Sequence, residues 1–187
     1  RRLGAVDLGL GDGRTYPNMV NYYKRLGHFD TGICGTDVVT RVLFEHGDAD
    51  LAVGLLASEH PISFDGMRKA GATTIWENWP HAVWERSHDH PMFGSPAAYL
   101  FDFLLGIGQP EGGAGYQSIV IRPTPTTLLS RVSGKRVLPS GTVEASYERK
   151  DGVIEARITI PEGVETVLVF GGEEKPLAAG LNVLTLA

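Results

Sequence analysis

The chain has 187 residues and a formal net charge of −5, from 17 basic and 22 acidic residues. Hydrophobic residues make up 42% of it, which is enough for a folded core and argues against a disordered chain. No cluster of lysine and arginine stands out, so neither nucleic acid nor an anionic membrane is an expected partner. Because Cys34 is the single cysteine, the chain forms no internal disulfide and no cysteine-based zinc site.

No targeting signal is recognised at the beginning of the chain. It starts Arg1-Arg2-Leu3, without a methionine or an apolar leader, which indicates a fragment or a processed product. No run of about eighteen apolar residues occurs, so no membrane-spanning helix is expected. Cytoplasmic, periplasmic and secreted locations all stay open.

The first part of the chain favours helices. Residues 1–33 are glycine-rich and irregular, apart from a short helix predicted from Asn18 to Leu26. Between residues 34 and 108, apolar residues recur at helical spacing, interrupted by a long loop from about His60 to Gly94. A helical domain is therefore expected over residues 1–108.

Local signals give the expected helix ends. A helix capped by Thr36 or Asp37 is predicted to end at Gly47 in the left-handed conformation, and Asp48 is predicted to begin the next. Ser95-Pro96 has the pattern of an N-cap followed by the first residue of a helix. That last helix is predicted over Ala97 to Ile107 and to end at Gly106 or Gly108, where a linker rich in glycine and proline begins.

From Tyr116 onward the apolar period changes to two, which predicts β-strands. The predicted strands are Ser118–Arg122, Leu128–Val132, Val143–Arg149, Val153–Ile160, Thr166–Phe170 and Val183–Leu186. Asp151-Gly152, between two alternating runs, is the clearest hairpin signal. Short strands at regular spacing favour an antiparallel β-sandwich over residues 116–187, so the expected fold class is α+β.

The most informative residues surround Glu77. The three tryptophans of the chain are Trp76, Trp79 and Trp84, and Glu77 lies between the first two. Indole rings suit the apolar faces of sugars and shield a neighbouring carboxylate from water, as a general base requires. The alternative is that the tryptophans close the end of a helical core while Glu77 is solvated.

Two further clusters carry polar side chains. In Ser87-His-Asp-His-Pro91, the histidines could bind a metal together with His81, hydrogen-bond sugar hydroxyls, or brace the loop. The metal interpretation is disfavoured because no further ligand follows at a recognisable spacing. In His28-Phe-Asp-Thr-Gly32, the residues by themselves suggest ordinary helix capping.

The order of these strings resembles the end of the catalytic domain of the α-L-rhamnosidases of glycoside hydrolase family 78. The matching strings are His28-Phe-Asp-Thr-Gly-Ile-Cys-Gly-Thr36, Gly71-Ala-Thr-Thr-Ile-Trp-Glu-Asn-Trp79 and Ser87-His-Asp-His-Pro-Met-Phe-Gly-Ser95. In addition, Gly115-Tyr-Gln-Ser-Ile-Val-Ile-Arg-Pro123 resembles the start of the family's C-terminal β-sandwich. The resemblance covers about residues 28–170.

The resemblance implies part of an (α/α)₆ barrel with its active site at one end, followed by the β-sandwich. It implies hydrolysis of terminal α-L-rhamnose with inversion, on a rhamnosylated small molecule or polysaccharide. Neither a cofactor nor a metal is expected. Glu77 takes the position of the family's catalytic base. The residues expected to bind the sugar or border its pocket are His90, Trp76, Trp79, His28 and Asp30.

The chain also departs from the family pattern. The family's general acid lies in an upstream segment rich in Asp and Arg, which residues 1–27 do not offer. We therefore expect a truncated enzyme that carries the base half of the site, is inactive alone, and associates with the rest of its parent chain or with itself. The alternative is a non-catalytic carbohydrate-binding or structural module, and the structural role is favoured for residues 116–187.

Overall fold

A computed structural model describes residue 9 and residues 11–80, 82 and 86–186. The chain divides into two compact units between Tyr99 and Leu100. Helices of the first unit are α1 (Thr15–Leu26), α2 (Ile33–Glu45), α3 (Ala49–Leu56), α4 (Phe64–Lys69), the 3₁₀ helix Pro91–Gly94 and α5 (Pro96–Tyr99). Within the described part of the chain, no helix combines the length and apolar character that a membrane crossing needs.

Glycines end the first two helices of this unit. The backbone N–H of Gly27, at φ 73°, donates to Tyr23 at the end of α1, and Gly47, at φ 82°, follows α2 as predicted. The predicted cap of α2 is wrong, because the helix begins three residues before Thr36. Thr36 is buried, and its hydroxyl donates to the carbonyl oxygen of Thr31.

The core of the helical unit comes from the apolar faces of α2 and α3. Its buried members include Val39, Val42, Leu43, Phe44, Ala49, Ala52 and Leu55. Each large aliphatic side chain removed from water contributes about 1.5–3 kcal/mol, so this interface is the main reason the two helices pack. The loop predicted from His60 to Gly94 is interrupted by α4. Ser63 is the N-cap of this helix, and its hydroxyl accepts from the backbone N–H of Gly66.

A half-buried tyrosine joins α5 to α2. The Tyr99 hydroxyl donates to Asp37 Oδ1 at 3.0 Å, and burial together with this bond raises the pKa of Tyr99 from 10.0 to about 12. Because the fold favours the protonated phenol, its contribution to stability is complete below pH 10 and is lost as the pH rises toward 12. Between these values the wild-type protein should lose stability faster than Tyr99→Phe, which chemical unfolding at several pH values measures. Parallel stability curves would contradict this.

The second unit begins with a π-helix, Leu100–Leu105, and continues as a β-sandwich. Its strands are β1 (Ile107–Gly108), β2 (Ser118–Ile121), β3 (Arg131–Leu138), β4 (Gly141–Lys150), β5 (Val153–Ile160), β6 (Glu165–Phe170), β7 (Glu173–Leu177) and β8 (Gly180–Leu186). They form two four-stranded sheets, in the orders β1-β2-β6-β7 and β3-β4-β5-β8. Among the described strand pairs, β2 with β6 is parallel and the others are antiparallel. The predicted α+β class is confirmed.

Aliphatic residues from both sheets fill the sandwich. The largest fully buried side chains are isoleucines from either sheet, including Ile107, Ile119, Ile121, Ile158 and Ile160. The β4–β5 turn is the predicted hairpin: Asp151 and Gly152 both have positive φ, at 49° and 86°, as a type I′ turn requires. The strand predicted from Leu128 to Val132 has the wrong bounds, because β3 starts at Arg131 and continues to Leu138.

The outer strands of the two sheets differ in composition. β7 is an edge strand of one sheet and carries Glu173, Glu174, Lys175 and Pro176. β8 is an edge strand of the other sheet, is uncharged, and exposes Leu181 and Val183, which are 56% and 54% accessible.

One glycine lies where the backbone passes very close to itself. Gly106 has φ 67°, and a Cβ there would lie 2.3 Å from the carbonyl carbon of Arg122. Gly106→Ala should therefore destabilise the protein by about 1–3 kcal/mol more than Gly112→Ala. Gly112 is the matched control because it has φ 74° and nothing within 4 Å of an added Cβ. Thermal or urea unfolding measures the difference, and equal losses would show that the close approach relaxes at little cost.

Candidate active site

Two loop segments pair side by side and bring the tryptophan string to the histidine string. The backbone N–H of Glu77 donates to the Ser87 carbonyl at 2.9 Å, and that of His90 donates to the Ile75 carbonyl at 2.8 Å. The Thr74 hydroxyl also donates to the His88 carbonyl. These bonds fix the register of the two segments, so residues ten or more apart in sequence face one another.

The Glu77 carboxylate lies at the centre of this pairing. Its Oε2 accepts from the Ser87 backbone N–H at 3.2 Å and is 3.9 Å from His90 Nδ1. Its Oε1 is 3.8 Å from Arg86 Nη1. The side chain is 25% exposed, so the carboxylate is oriented by its neighbours and still open to water or a small ligand.

Trp76 and Trp79 have different surroundings. The Trp76 ring stacks on His88, with centroids 4.3 Å apart, so the imidazole covers part of one indole face. Trp79 belongs to an aromatic cluster, which we define as Phe29, Phe64, Trp79 and Phe93.

The aromatic cluster anchors the loop that carries Glu77. The Trp79 ring centroid lies 4.4 Å from that of Phe93 and 5.1 Å from that of Phe64. Its indole N–H donates to the carbonyl oxygen of Thr31 at 2.7 Å. Thr31 lies 48 positions earlier in the chain than Trp79. Packing and hydrogen bonding together hold the backbone two residues beyond Glu77.

The segment before α2 is also held by protein contacts. His28 is buried, its Nδ1 lies 2.7 Å from the Phe29 carbonyl, and its ring stacks on His60 at 3.7 Å. Asp30 is exposed and accepts hydrogen bonds from the hydroxyls of Tyr22 and Tyr23. Through Thr31 this segment touches Trp79, so the structure joins all three sequence strings.

Sequence reasoning missed the groups that orient Glu77. The Arg86 guanidinium and the Ser87 N–H contact the carboxylate, yet neither residue type suggests that role in sequence. Their position next to the histidine string was the available signal. His81 and Trp84, which entered the sequence interpretation, lie outside the described residues. Within the described ranges, no group of three His, Cys, Asp or Glu side chains is placed to hold a metal ion.

Comparison with known families matches both units. Residues 13–104 match the model of the bacterial α-L-rhamnosidase 6-hairpin glycosidase domain. Residues 106–183 match the model of the bacterial α-L-rhamnosidase C-terminal domain. Together the two matches cover most of the chain, in the order helical domain and then β-domain.

Individual relatives agree with this assignment. An α-L-rhamnosidase of Formosa agariphila is 31% identical over 142 residues, covering 72% of this chain and 15% of the relative. The α-L-rhamnosidase structure from Aspergillus terreus superposes with a TM-score of 0.86 at 20% identity, covering 99% of this chain and 23% of that one.

A second structure, the Streptomyces avermitilis α-L-rhamnosidase complexed with L-rhamnose, gives a TM-score of 0.76 at 22% identity. It covers 99% of this chain and 20% of that one. The chain thus spans less than a quarter of the length of these relatives. Since its helical and β-sandwich units match consecutive domains of one kind of enzyme, the chain belongs to the α-L-rhamnosidase family of glycoside hydrolases.

Proposed function

We propose that this chain carries the general-base half of an inverting α-L-rhamnosidase site, which hydrolyses terminal α-L-rhamnose from a glycoside. The observation that supports this most directly is the Glu77 carboxylate, oriented by the Ser87 N–H and still 25% exposed. In an inverting reaction, a carboxylate takes a proton from water as that water attacks the anomeric carbon. A separate carboxylic acid protonates the leaving oxygen, and we propose that it comes from outside residues 9–186.

The neighbours of Glu77 fit roles around a sugar. His90 turns Nδ1 toward Glu77, which leaves its other ring nitrogen for a sugar hydroxyl. Trp76 has one face partly covered by His88, so the indole would contact a sugar through its other face. Trp79, His28 and Asp30 would border the pocket, and the contacts of Trp79 support a positioning role for its ring as well.

The stereochemistry of the product tests the proposal. The full-length gene product is incubated with an aryl α-L-rhamnoside, and proton NMR records the anomer that appears before mutarotation. An inverting enzyme forms β-L-rhamnose first. Initial formation of α-L-rhamnose would overturn the inverting mechanism, and absence of hydrolysis would overturn the enzymatic function. An aryl β-D-glucoside serves as the control for contaminating glycosidases.

For the β-sandwich we propose a structural role, as opposed to sugar binding. Large hydrophobic side chains exposed on the described strands are aliphatic: Val137, Val153, Leu181 and Val183. Sugar-binding surfaces rely on exposed aromatic rings, which stack on the apolar faces of the sugar. Titration calorimetry of the protein with L-rhamnose separates the two roles, because heat that survives Trp76→Ala would point to a second site such as the sandwich.

A further inference from the structure

The carbonyl group of Thr31 is where α2 meets the loop that carries Glu77. Its oxygen accepts from the Trp79 indole N–H at 2.7 Å and from the Thr36 hydroxyl at 3.1 Å. A carbonyl oxygen has two lone pairs, so it can accept both bonds at once. Since Trp79 is two residues beyond Glu77, the first turn of α2 supports the attachment point of this loop.

Thr36 holds the Thr31 carbonyl from a rigid position. The residue is 0% exposed, so water does not compete for its hydroxyl. Its backbone N–H donates to the Gly32 carbonyl at 2.9 Å, and its own carbonyl accepts from the Thr40 hydroxyl at 2.8 Å. A hydroxyl has one proton, so Thr36, which donates to the Thr31 carbonyl, accepts in its 3.2 Å contact with the Thr31 hydroxyl. Two hydrogen bonds thus join the same pair of residues.

Packing confines Thr31 as well. A Cβ added at Gly35 would lie 2.6 Å from Thr31 Cβ, so the Thr31 side chain lies directly over this glycine of α2. A larger residue at position 35 would push Thr31 away from the helix. The Thr31 carbonyl is therefore fixed both by close packing and by the Thr36 hydroxyl.

From these contacts we infer that Thr36 is a positioning residue for the general base, acting on Glu77 through Thr31 and Trp79. The inference rests on the proposed function of Glu77. A general base must lie within hydrogen-bond reach of the water it activates, and misplacement by about 1 Å can cost roughly 10²-fold in rate. The loop has one attachment from the Glu77 N–H to the Ser87 carbonyl and another at the Trp79 indole. Loosening the second should shift the carboxylate while the first keeps the loop paired.

Thr36→Val tests the inference, because valine has nearly the shape of threonine but lacks the hydroxyl. In the full-length gene product acting on an aryl α-L-rhamnoside, kcat should fall by about tenfold, a fraction of the cost of a 1 Å misplacement. KM should change by less than about twofold, because the loss concerns the base and not the binding of the sugar. Thr36→Ser restores the hydroxyl and should return kcat to near the wild-type value.

Thr40→Val is the matched control. Thr40 is also 0% exposed in α2, but its hydroxyl donates to the Thr36 carbonyl within the helix. This variant loses a buried hydroxyl of the same kind and should keep wild-type kcat.

A second readout does not depend on activity. Fluorine NMR of the full-length protein labelled with 5-fluorotryptophan reports on the surroundings of each indole, and Trp79→Phe identifies the Trp79 resonance. We expect Thr36→Val to shift this resonance and Thr40→Val to leave it in place.

If Thr36→Val does not fold, Gly35→Ala replaces it. The added methyl group displaces Thr31, so kcat should fall and the Trp79 resonance should shift in the same way. Gly32→Ala is the control for this variant, since nothing lies within 4 Å of a Cβ added there.

Wild-type kcat in Thr36→Val, or in Gly35→Ala where that variant takes its place, would overturn the inference. Equal losses of kcat in a variant and its control would overturn it as well, and so would an unmoved Trp79 resonance. Absence of hydrolysis by the wild-type protein would instead remove the proposed function, and the Trp79 resonance would still show whether Thr36 holds that ring.

Discussion

Glu77→Gln is expected to lower kcat for α-L-rhamnoside hydrolysis by about 10²–10⁴-fold, the contribution typical of a positioned general base. The amide oxygen still accepts from the Ser87 N–H, so the loop keeps its conformation. What is lost is the ability to take a proton from the attacking water. Because the ground state loses little, KM should change much less than kcat.

Two measurements make the result specific to Glu77. Glu59→Gln, whose side chain is 87% exposed in the same unit, is the matched control and should keep wild-type turnover. Azide needs no base to attack the anomeric carbon, so adding it should restore turnover in Glu77→Gln and yield the β-rhamnosyl azide. Wild-type kcat in Glu77→Gln without azide would remove this residue from the mechanism.

Phe93→Ala is expected to destabilise the protein by about 3–5 kcal/mol, the range for deleting a fully buried ring. Phe93 is 0% exposed and contacts Phe64 and Trp79 within the aromatic cluster. Its removal leaves a cavity beside Trp79 that the surrounding helices cannot fill without moving. Urea unfolding followed by tryptophan fluorescence measures the loss directly.

The neighbouring residue supplies the control for this prediction. Met92 belongs to the same 3₁₀ helix and is 63% exposed, so Met92→Ala should change the free energy of unfolding by less than about 0.5 kcal/mol. Similar losses in the two variants would mean that the helix itself, and not the ring, carries the stability of this region.

Features decided by a few adjacent residues could be predicted from the sequence. The Asp151-Gly152 hairpin and the glycine after α2 were predicted because positive φ angles restrict the residue types that fit. β7 was missed because three charged residues and a proline conceal its period, which is how an edge strand avoids wrong pairing. α4 was missed because six residues are too few to show a helical period.

The candidate site also combines features that the sequence indicated with contacts that it did not. The resemblance drew attention to Glu77 and His90, and the structure places them 3.9 Å apart. The contact of Trp79 with Thr31 and the approach of Arg86 to Glu77 depend on chain folding between distant positions. A single sequence contains no local signal for such contacts, so it left two roles open for Trp79, one beside the sugar and one at the end of a helical core.

The difference in composition between the edge strands β7 and β8 has a consequence for handling the protein. Charges and a proline on β7 oppose the addition of another strand, whereas β8 offers a neutral edge with two bare aliphatic side chains. Intermolecular β-pairing, and eventually precipitation in concentrated samples, should therefore begin at β8. A single gatekeeper lysine at Leu181 would suppress it while leaving the sandwich core untouched.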